Sequence, residues 1–205
     1  TRQELNQKDV DIVLFGSTGF MGNAFADYIT THVQKPVRWI FAGRNKHKLR
    51  MQRKGLVHNL DTDSVAPIKT MNVDLHDSAL LLNMTKRAKI VISTVGPSEV
   101  YGGEELIKQS IEGCSHYIDL AVETLWRVKM MATYNKAARN RGVVITQSAG
   151  MVSMLNDFLA LYSSKLMASD GNGPPNSVTL KVRKMNGMPT GGGAMSAELE
   201  RRQTT

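Results

Sequence analysis

Apolar positions along the chain fall into short runs of strand character, separated by stretches in which they recur at helical spacing. Asp9–Phe15 (DVDIVLF) reads as a buried strand running into Gly16. Phe20–Val33 follows as a helix, with Met21, Phe25, Tyr28 and Ile29 expected on its apolar face and Pro36 closing it. Val37–Ala42 is a second strand, and Asn45–Lys54 a polar helix capped by Asn45 and ended by Gly55. A third strand is placed at Ile68–Val73, after the loop-like Asp61–Pro67. Ser78–Ala88 is a helix and Lys89–Val95 a central strand. Glu104–Glu112 is a helix with Leu106, Ile107 and Ile111 inward, stopped by Gly113, and His116–Leu120 is strand five. Thr124–Arg141 is a longer helix ended by Gly142, before a sixth strand at Val143–Gln147. Strands and helices alternate without hairpin signals, which predicts an α/β fold of parallel strands joined by right-handed crossovers.

Beyond strand six the pattern changes. Leu155–Met167 is apolar and helical, Ser169–Asn176 reads as a linker, and Ser177–Met185 alternates like a strand exposed on one face. Pro189–Gly193 is a flexible turn and Ser196–Arg202 the start of a helix. One strand and a helical start do not bury a core by themselves. The expected organisation is therefore an α/β domain over 1–150, a connecting helix and linker over 151–176, and the start of a second domain, cut short, over 177–205.

Composition narrows the chemistry. Of 205 residues, 41% are apolar and 21% charged, enough for a sizeable core and too little charge for a disordered chain. One Cys excludes a disulfide framework and a thiolate zinc cluster, and points to a reducing compartment. The run Ile90–Val95 is too short to cross a bilayer. No signal-peptide pattern precedes the first strand, although a start at Thr1 is compatible with a removed leader. A net charge of +8 favours an anionic ligand: a phosphate-bearing cofactor, nucleic acid or an acidic lipid surface.

The first strand opens directly into Gly16-Ser17-Thr18-Gly19-Phe20-Met21-Gly22, a G-x-x-G-x-x-G loop at a strand-to-helix junction. A dinucleotide pyrophosphate needs backbone amides at close range, and side chains at the first two glycines would obstruct it. The positive end of the following helix points the same way, and Gly22 lets that helix approach strand one. The alternative is a tight turn without ligand. The end of strand two distinguishes between dinucleotides. A carboxylate there would bind the ribose hydroxyls and repel a 2′-phosphate, whereas this chain has Arg44 and Asn45 with Lys46 and Lys48 following. NADP(H) is expected over NAD(H), with Arg44 and Lys48 on the cofactor. The alternative is a solvated basic helix face.

Three other strand ends belong to the same crevice. Asp74 either accepts the adenine amino group or caps a helix. Thr94-Val95-Gly96-Pro97 lies where the nicotinamide ribose is expected, Gly96 allowing close contact or forming a turn with Pro97. Asp119 and Glu123 flank strand five, as substrate ligands or, for Glu123, a helix cap. None of Tyr28, Tyr101, Tyr117, Tyr134 and Tyr162 has a Lys four positions on, so a Tyr-x-x-x-Lys proton donor is absent. No zinc-hydrolase or serine-hydrolase motif is present. His32, His47, His58, His76 and His116 lie apart and read as surface or capping residues. Tyr101 is a weak proton-donor candidate, better explained by packing, and the catalytic residues stay unassigned.

Together DIVLFGSTGFMG (Asp11–Gly22), WIFAGRNKHKL (Trp39–Leu49), VISTVGPSEVYGGEEL (Val91–Leu106), YIDLAVE (Tyr117–Glu123) and GVVITQSAGMVSMLND (Gly142–Asp157) resemble the saccharopine dehydrogenase-like oxidoreductases, which include the trans-acting enoyl reductases. NGMPTGGGAMS (Asn186–Ser196) is similar to the start of that family's second domain. The resemblance implies a doubly wound Rossmann domain, an α/β domain for substrate and dimer pairing, and a chain roughly double the length. It implies NADP(H), with Gly16, Gly19 and Gly22 on the pyrophosphate and Arg44 on the adenosine phosphate. The expected reaction is hydride transfer to or from an imine, carbonyl or enoyl group of a small-molecule or lipid-like substrate. The expected setting is a homodimer, cytoplasmic or organelle-associated, with a C-terminal part beyond this chain able to contact membranes or lipid bodies. Gly96-Pro97-Ser98, Tyr101-Gly102-Gly103 and Gly150-Met151-Val152-Ser153 depart from the family's usual residues on the substrate side. Those departures keep a non-catalytic NADP(H) sensor or scaffold as the second expectation. Nucleic acid is disfavoured, because the basic residues cluster beside the cofactor phosphate and only 6% of residues are aromatic.

Overall fold

A computed structural model describes residues 2–32, 37–58, 68–171, 173 and 175–179. Six strands, β1 (Val10–Phe15), β2 (Trp39–Gly43), β3 (Lys69–Asn72), β4 (Ala88–Ser93), β5 (His116–Asp119) and β6 (Ile145–Thr146), form one sheet. Every pairing is parallel, and the spatial order is β3-β2-β1-β4-β5-β6. Consecutive strands β1, β2 and β3 proceed to one side, and β4, β5 and β6 to the other. Direction therefore reverses between β1 and β4, leaving a crevice there at the strands' carboxyl ends. This is the doubly wound Rossmann arrangement.

Helices α1 (Arg2–Asn6), α2 (Phe20–His32), α3 (Lys46–His58), α4 (Ser78–Arg87), α5 (Gly103–Glu112), α6 (Thr124–Arg141) and α7 (Met151–Ser169) complete the described elements. Strand side chains alternate between two cores, as period-2 geometry requires. Val13, Phe15, Ile40 and Val91 pack with Leu81, Met84, Leu106, Ile107 and Trp126 on one face. Leu14, Phe41 and Ile92 pack with Ala26, Leu49 and Leu56 on the other.

Local chemistry accounts for most boundaries. Asn45 caps α3 through Oδ1, which accepts from Lys48 N at 2.9 Å, and Asp77 caps α4 through Leu80 N at 2.9 Å. Gly142 ends α6 with φ +67°. Three expectations are corrected. Gly55 does not stop α3, which continues to His58 and buries Leu56 against the second core. Met21 and Tyr28 do not lie on the inner face of α2; they are exposed, and Gly22, Phe25, Ala26 and Ile29 face the sheet instead. A small residue every fourth position lets this helix sit close, which leaves no room for the larger side chains. Third, Ser177–Thr179 carries no strand, and the rest of the strand expected to Met185 lies outside the described residues. So do Val33, Pro36, the loop at 61–67, and the turn and helix expected at 189–202. The helix α7 is longer than the expected 155–167, and Leu155, Phe158, Leu161, Tyr162 and Leu166 are exposed along it. Among the described residues no helix is long and apolar enough to cross a membrane.

Candidate functional site

The carboxyl ends of β1 to β5 open into a cleft of about 810 Å³. At its centre the ladder overruns β1: Gly16 N donates to Ala42 O at 2.8 Å and Thr94 N to Phe15 O at 2.9 Å. The chain then turns sharply at Gly16, φ +79°, where a Cβ would meet Val95 Cγ2 at 2.6 Å. Thr94 Oγ1 ties the turn down, donating to Phe15 O at 3.0 Å and Gly16 O at 3.1 Å. Gln52 of α3 braces it from the other side, donating to Ser17 O at 2.6 Å and Asn23 Oδ1 at 2.7 Å. The first-turn amides of α2 have no intrahelical acceptor, and Phe20 and Met21 of that turn line the cleft beside the braced loop. Gly19 N is already used, donating to Gly16 O at 3.0 Å.

The glycines divide into two kinds. Gly22 is a packing residue: a Cβ there would lie 2.6 Å from Ser17 Cα. Gly43 and Gly96 have neither a positive φ nor any heavy atom within 4 Å of an added Cβ, yet both line the cleft. Their missing side chains leave volume to the cleft and not to the protein.

Of the residues singled out in the sequence, Gly16, Thr18, Gly19, Phe20, Met21, Arg44, Asn45, Lys48, Asp74, Thr94, Val95 and Gly96 all line this cleft. Ser17 and Gly22 do not; Ser17 is fully buried, with its hydroxyl unpartnered, and Gly22 lies under the loop. On the β2 and β3 side stand Arg44, Lys48 and Asp74, with no carboxylate at the end of β2. Asp74 does not cap α4; its Oδ1 accepts from His76 N at 3.0 Å. On the β4 and β5 side stand Pro97, Tyr101 and the segment Leu120 to Glu123. Tyr101 both lines the cleft and packs against the first core. Gly96–Pro97 is a cis peptide.

Behind that side lies polar structure that sequence reasoning grasped only in part. Asp119 does not reach the cleft. It is fully buried, and its Oδ1 accepts from Ala121 N at 3.0 Å and Ser148 N at 2.9 Å. Burial pushes its carboxyl above the usual carboxylate range, against the opposing pull of those two N–H donors. Ser148, held at φ +60°, donates to Ala121 O and accepts from Arg127 Nη1 at 2.6 Å. Glu123 precedes α6 without a side-chain cap bond; its Oε2 accepts from Val122 N at 2.8 Å. Arg127, Ser148 and Gln52 carried no sequence signal, because each is a lone polar residue whose partner is distant in the chain. Among the described residues no cluster of His, Cys, Asp and Glu is arranged to hold a metal.

No family model matches the chain. It is 30% identical over 167 residues to the saccharopine dehydrogenase-like oxidoreductase of Mus musculus, covering 78% of this chain and 39% of that protein. It is 29% identical over 163 residues to a lipid droplet localized protein of Caenorhabditis elegans (79% and 38%) and 28% identical over 198 residues to a trans-acting enoyl reductase of Mycobacterium bovis (97% and 46%). The chain thus spans less than half the length of these curated relatives. Among solved structures, saccharopine dehydrogenase (L-Glu forming) of Saccharomyces cerevisiae superposes with a TM-score of 0.57 at 15% identity, over 78% of this chain and 31% of that one. A short-chain type dehydrogenase/reductase of Mycobacterium ulcerans gives 0.51 at 12% identity, over 68% and 66%. The chain is a homologue of the saccharopine dehydrogenase-like oxidoreductases and trans-acting enoyl reductases, and its described residues form a Rossmann-type fold.

Proposed function

We propose that this chain binds NADP(H) across the cleft and is the coenzyme-holding part of an oxidoreductase acting on an imine, carbonyl or enoyl group. The observation that carries this reading is the pair of open glycines, Gly43 and Gly96, on either side of the braced Gly16–Gly19 turn. Neither packing nor backbone conformation requires glycine at those two places, whereas a ligand lying against the main chain does. The residues fit the coenzyme. The amides of the loop and of the first turn of α2 would hold the pyrophosphate. Arg44 and Lys48 would hold the 2′-phosphate, and Asp74 the adenine amino group. The segments at Thr94–Gly96 and Leu120–Glu123 would lie along the nicotinamide half. When bound, the coenzyme supplies the hydride chemistry. The chain's own part is to orient it, to exclude water and to manage a proton.

Titration with NADPH and NADH by coenzyme fluorescence tests this. Tight NADPH binding that weakens in Arg44→Ala, with NADH less affected, supports the reading; binding of neither overturns it. A panel of imines, ketones and enoyl thioesters, assayed on a longer chain, separates an enzyme from a sensor. The names of the nematode and mycobacterial relatives support including lipid-like enoyl substrates in it. The second domain expected from 177 onward is proposed to cover the exposed apolar residues of α7, in keeping with the greater length of the relatives. Hydrogen exchange at Phe158 and Tyr162, compared between this chain and a longer one, checks that placement.

A further inference from the structure

Gln52 of α3 spends its side-chain amide on the glycine loop and its neighbour, donating through Nε2 to Ser17 O at 2.6 Å and to Asn23 Oδ1 at 2.7 Å. Both partners are acceptors, so only one orientation of the amide makes both contacts. Asn23, with Oδ1 engaged, turns Nδ2 to Thr18 O at 3.3 Å, and its main-chain N donates to Gly19 O at 2.9 Å. Three consecutive loop carbonyls, those of Ser17, Thr18 and Gly19, are thereby held by groups of α2 and α3.

A trans peptide is planar and points its N–H opposite to its C=O. Fixing Ser17 O against Gln52 therefore fixes Thr18 N–H on the other side of the loop. Ser17 is fully buried, whereas Thr18 lines the cleft. Gly19 N is spent within the turn on Gly16 O, and among the described residues Thr18 N has no main-chain acceptor. The hydrogen bond accepted by Ser17 O also polarises that peptide, which strengthens its N–H as a donor. Lys48 lies one turn before Gln52 on the same face of α3 and lines the cleft. The helix is seated independently of Gln52, with Leu49 and Leu56 in the second core and Asn45 capping its first turn.

We infer that Gln52 is a positioning residue for the coenzyme's pyrophosphate, holding Thr18 N–H turned toward the cleft so that the amide is in place before the phosphates arrive. This rests on the coenzyme reading above. It divides the labour around α3: Arg44 and Lys48 serve the 2′-phosphate, while Gln52, one turn further on, serves the pyrophosphate through the loop and without touching it.

Gln52→Met keeps the length of the side chain and removes its donors. Gln52→Glu keeps the shape and sets carboxylate oxygens against Ser17 O. Both leave Leu49 and Leu56 in place and are expected to fold. The probes are NADPH, NADH, ADP, which has a pyrophosphate without nicotinamide, and adenosine 2′-monophosphate, which has the 2′-phosphate without a pyrophosphate. In Gln52→Met, the first three are expected to weaken by a similar factor, roughly threefold to tenfold, while adenosine 2′-monophosphate stays within about twofold of wild type. Gln52→Glu should lose at least as much on the same three. Without ligand, backbone nitrogen relaxation at Thr18 and Gly19 is expected to show larger motion in both variants than in wild type. Adenosine 2′-monophosphate weakening as much as ADP would mark a general loosening of α3 and overturn the inference. Unchanged ADP binding in both variants would overturn it as well. If wild type itself binds neither NADPH nor ADP, it is the proposed function that falls.

Discussion

The two ends of the sheet are built on opposite terms. At the amino end, Lys8 is buried just ahead of β1, and its ammonium donates to Thr85 O at 3.0 Å, Ala88 O at 2.8 Å, Gly113 O at 2.6 Å and Ser115 Oγ at 3.1 Å. Those carbonyls close the ends of α4 and α5, where the helix dipole favours a cation. At the carboxyl end, Gly43 and Gly96 leave space unfilled beside the cleft. A parallel sheet sends every strand the same way, so the nucleotide-type crevice gathers at the carboxyl end while a buried ammonium ties helix ends together at the other.

Lys8→Met tests that division most severely. It strips a cation from three main-chain carbonyls that the fold keeps buried, and the loss is expected to be about 3 kcal/mol or more. Chemical denaturation measures it. Burial pushes the Lys8 ammonium down to about 8 from 10.5. Between those values the unfolded chain binds more protons than the folded one, so wild-type stability gains with rising pH across that window. The gap between wild type and Lys8→Met should accordingly be wider near pH 10.5 than near pH 8. A gap that narrows instead would mean that the ammonium is held charged by its carbonyls.

Arg44→Ala addresses the opposite end. Arg44 is exposed, so stability is expected to stay within about 0.5 kcal/mol. Loss of a charge-assisted contact to phosphate is worth about 1.5–3 kcal/mol, a weakening of NADPH by roughly tenfold to a hundredfold. Equal weakening of NADPH and NADH would remove the 2′-phosphate from the picture.

The glycines sharpen the division inside the cleft itself. Gly22→Ala forces a Cβ to 2.6 Å from Ser17 Cα and is expected to cost about 1–3 kcal/mol of stability. Gly43→Ala meets nothing within 4 Å, so its stability should hardly change while NADPH binding drops about tenfold or more. If Gly43→Ala bound NADPH as wild type does, that open volume would not belong to the coenzyme.

Legibility in the sequence followed the same division. The βα alternation, the glycine loop, Arg44 and the Asn45 cap are local patterns, and a short window of chain contains everything needed to read them. Lys8 is the opposite case. One lysine beside a strand looks like surface, and its acceptors lie 77 to 107 residues away. The same holds for Ser148, which meets Arg127 and Ala121 only after β6 is laid beside β5. Helix α2 was misread because its inner face is set by how close Gly22 and Ala26 let it come, and apolar spacing alone favoured Met21 and Tyr28. Gly55 failed as a stop because burying Leu56 outweighs the propensity cost of one helical glycine, about 1 kcal/mol.

Asp11 offers the mildest test. It lies early in β1, on the amino side, with Oδ1 2.9 Å from Arg38 Nη2 and 2.8 Å from Lys89 Nζ, and Oδ2 accepting from Arg38 Nε at 3.0 Å. Hydrogen bonds from Arg38 hold its carboxyl well below the usual carboxylate range. Unlike Lys8, however, this group faces water: Arg38 is 48% exposed and Asp11 27%. Solvent screening limits such a pair to about 1 kcal/mol or less, and added salt should shrink that further. The sign of the pH dependence is also opposite to that of a carboxyl raised by burial, which loses stability as pH rises. A depressed carboxylate contributes its stability above the unfolded value of 3.8 and loses it as pH falls. Wild type should exceed Asp11→Asn by a small, constant margin from neutrality down to about pH 4, and the margin should close below that. A loss from Asp11→Asn as large as that from Lys8→Met would mean that amino-end stability is spread over the surface ion pairs and is not concentrated in the one buried ammonium.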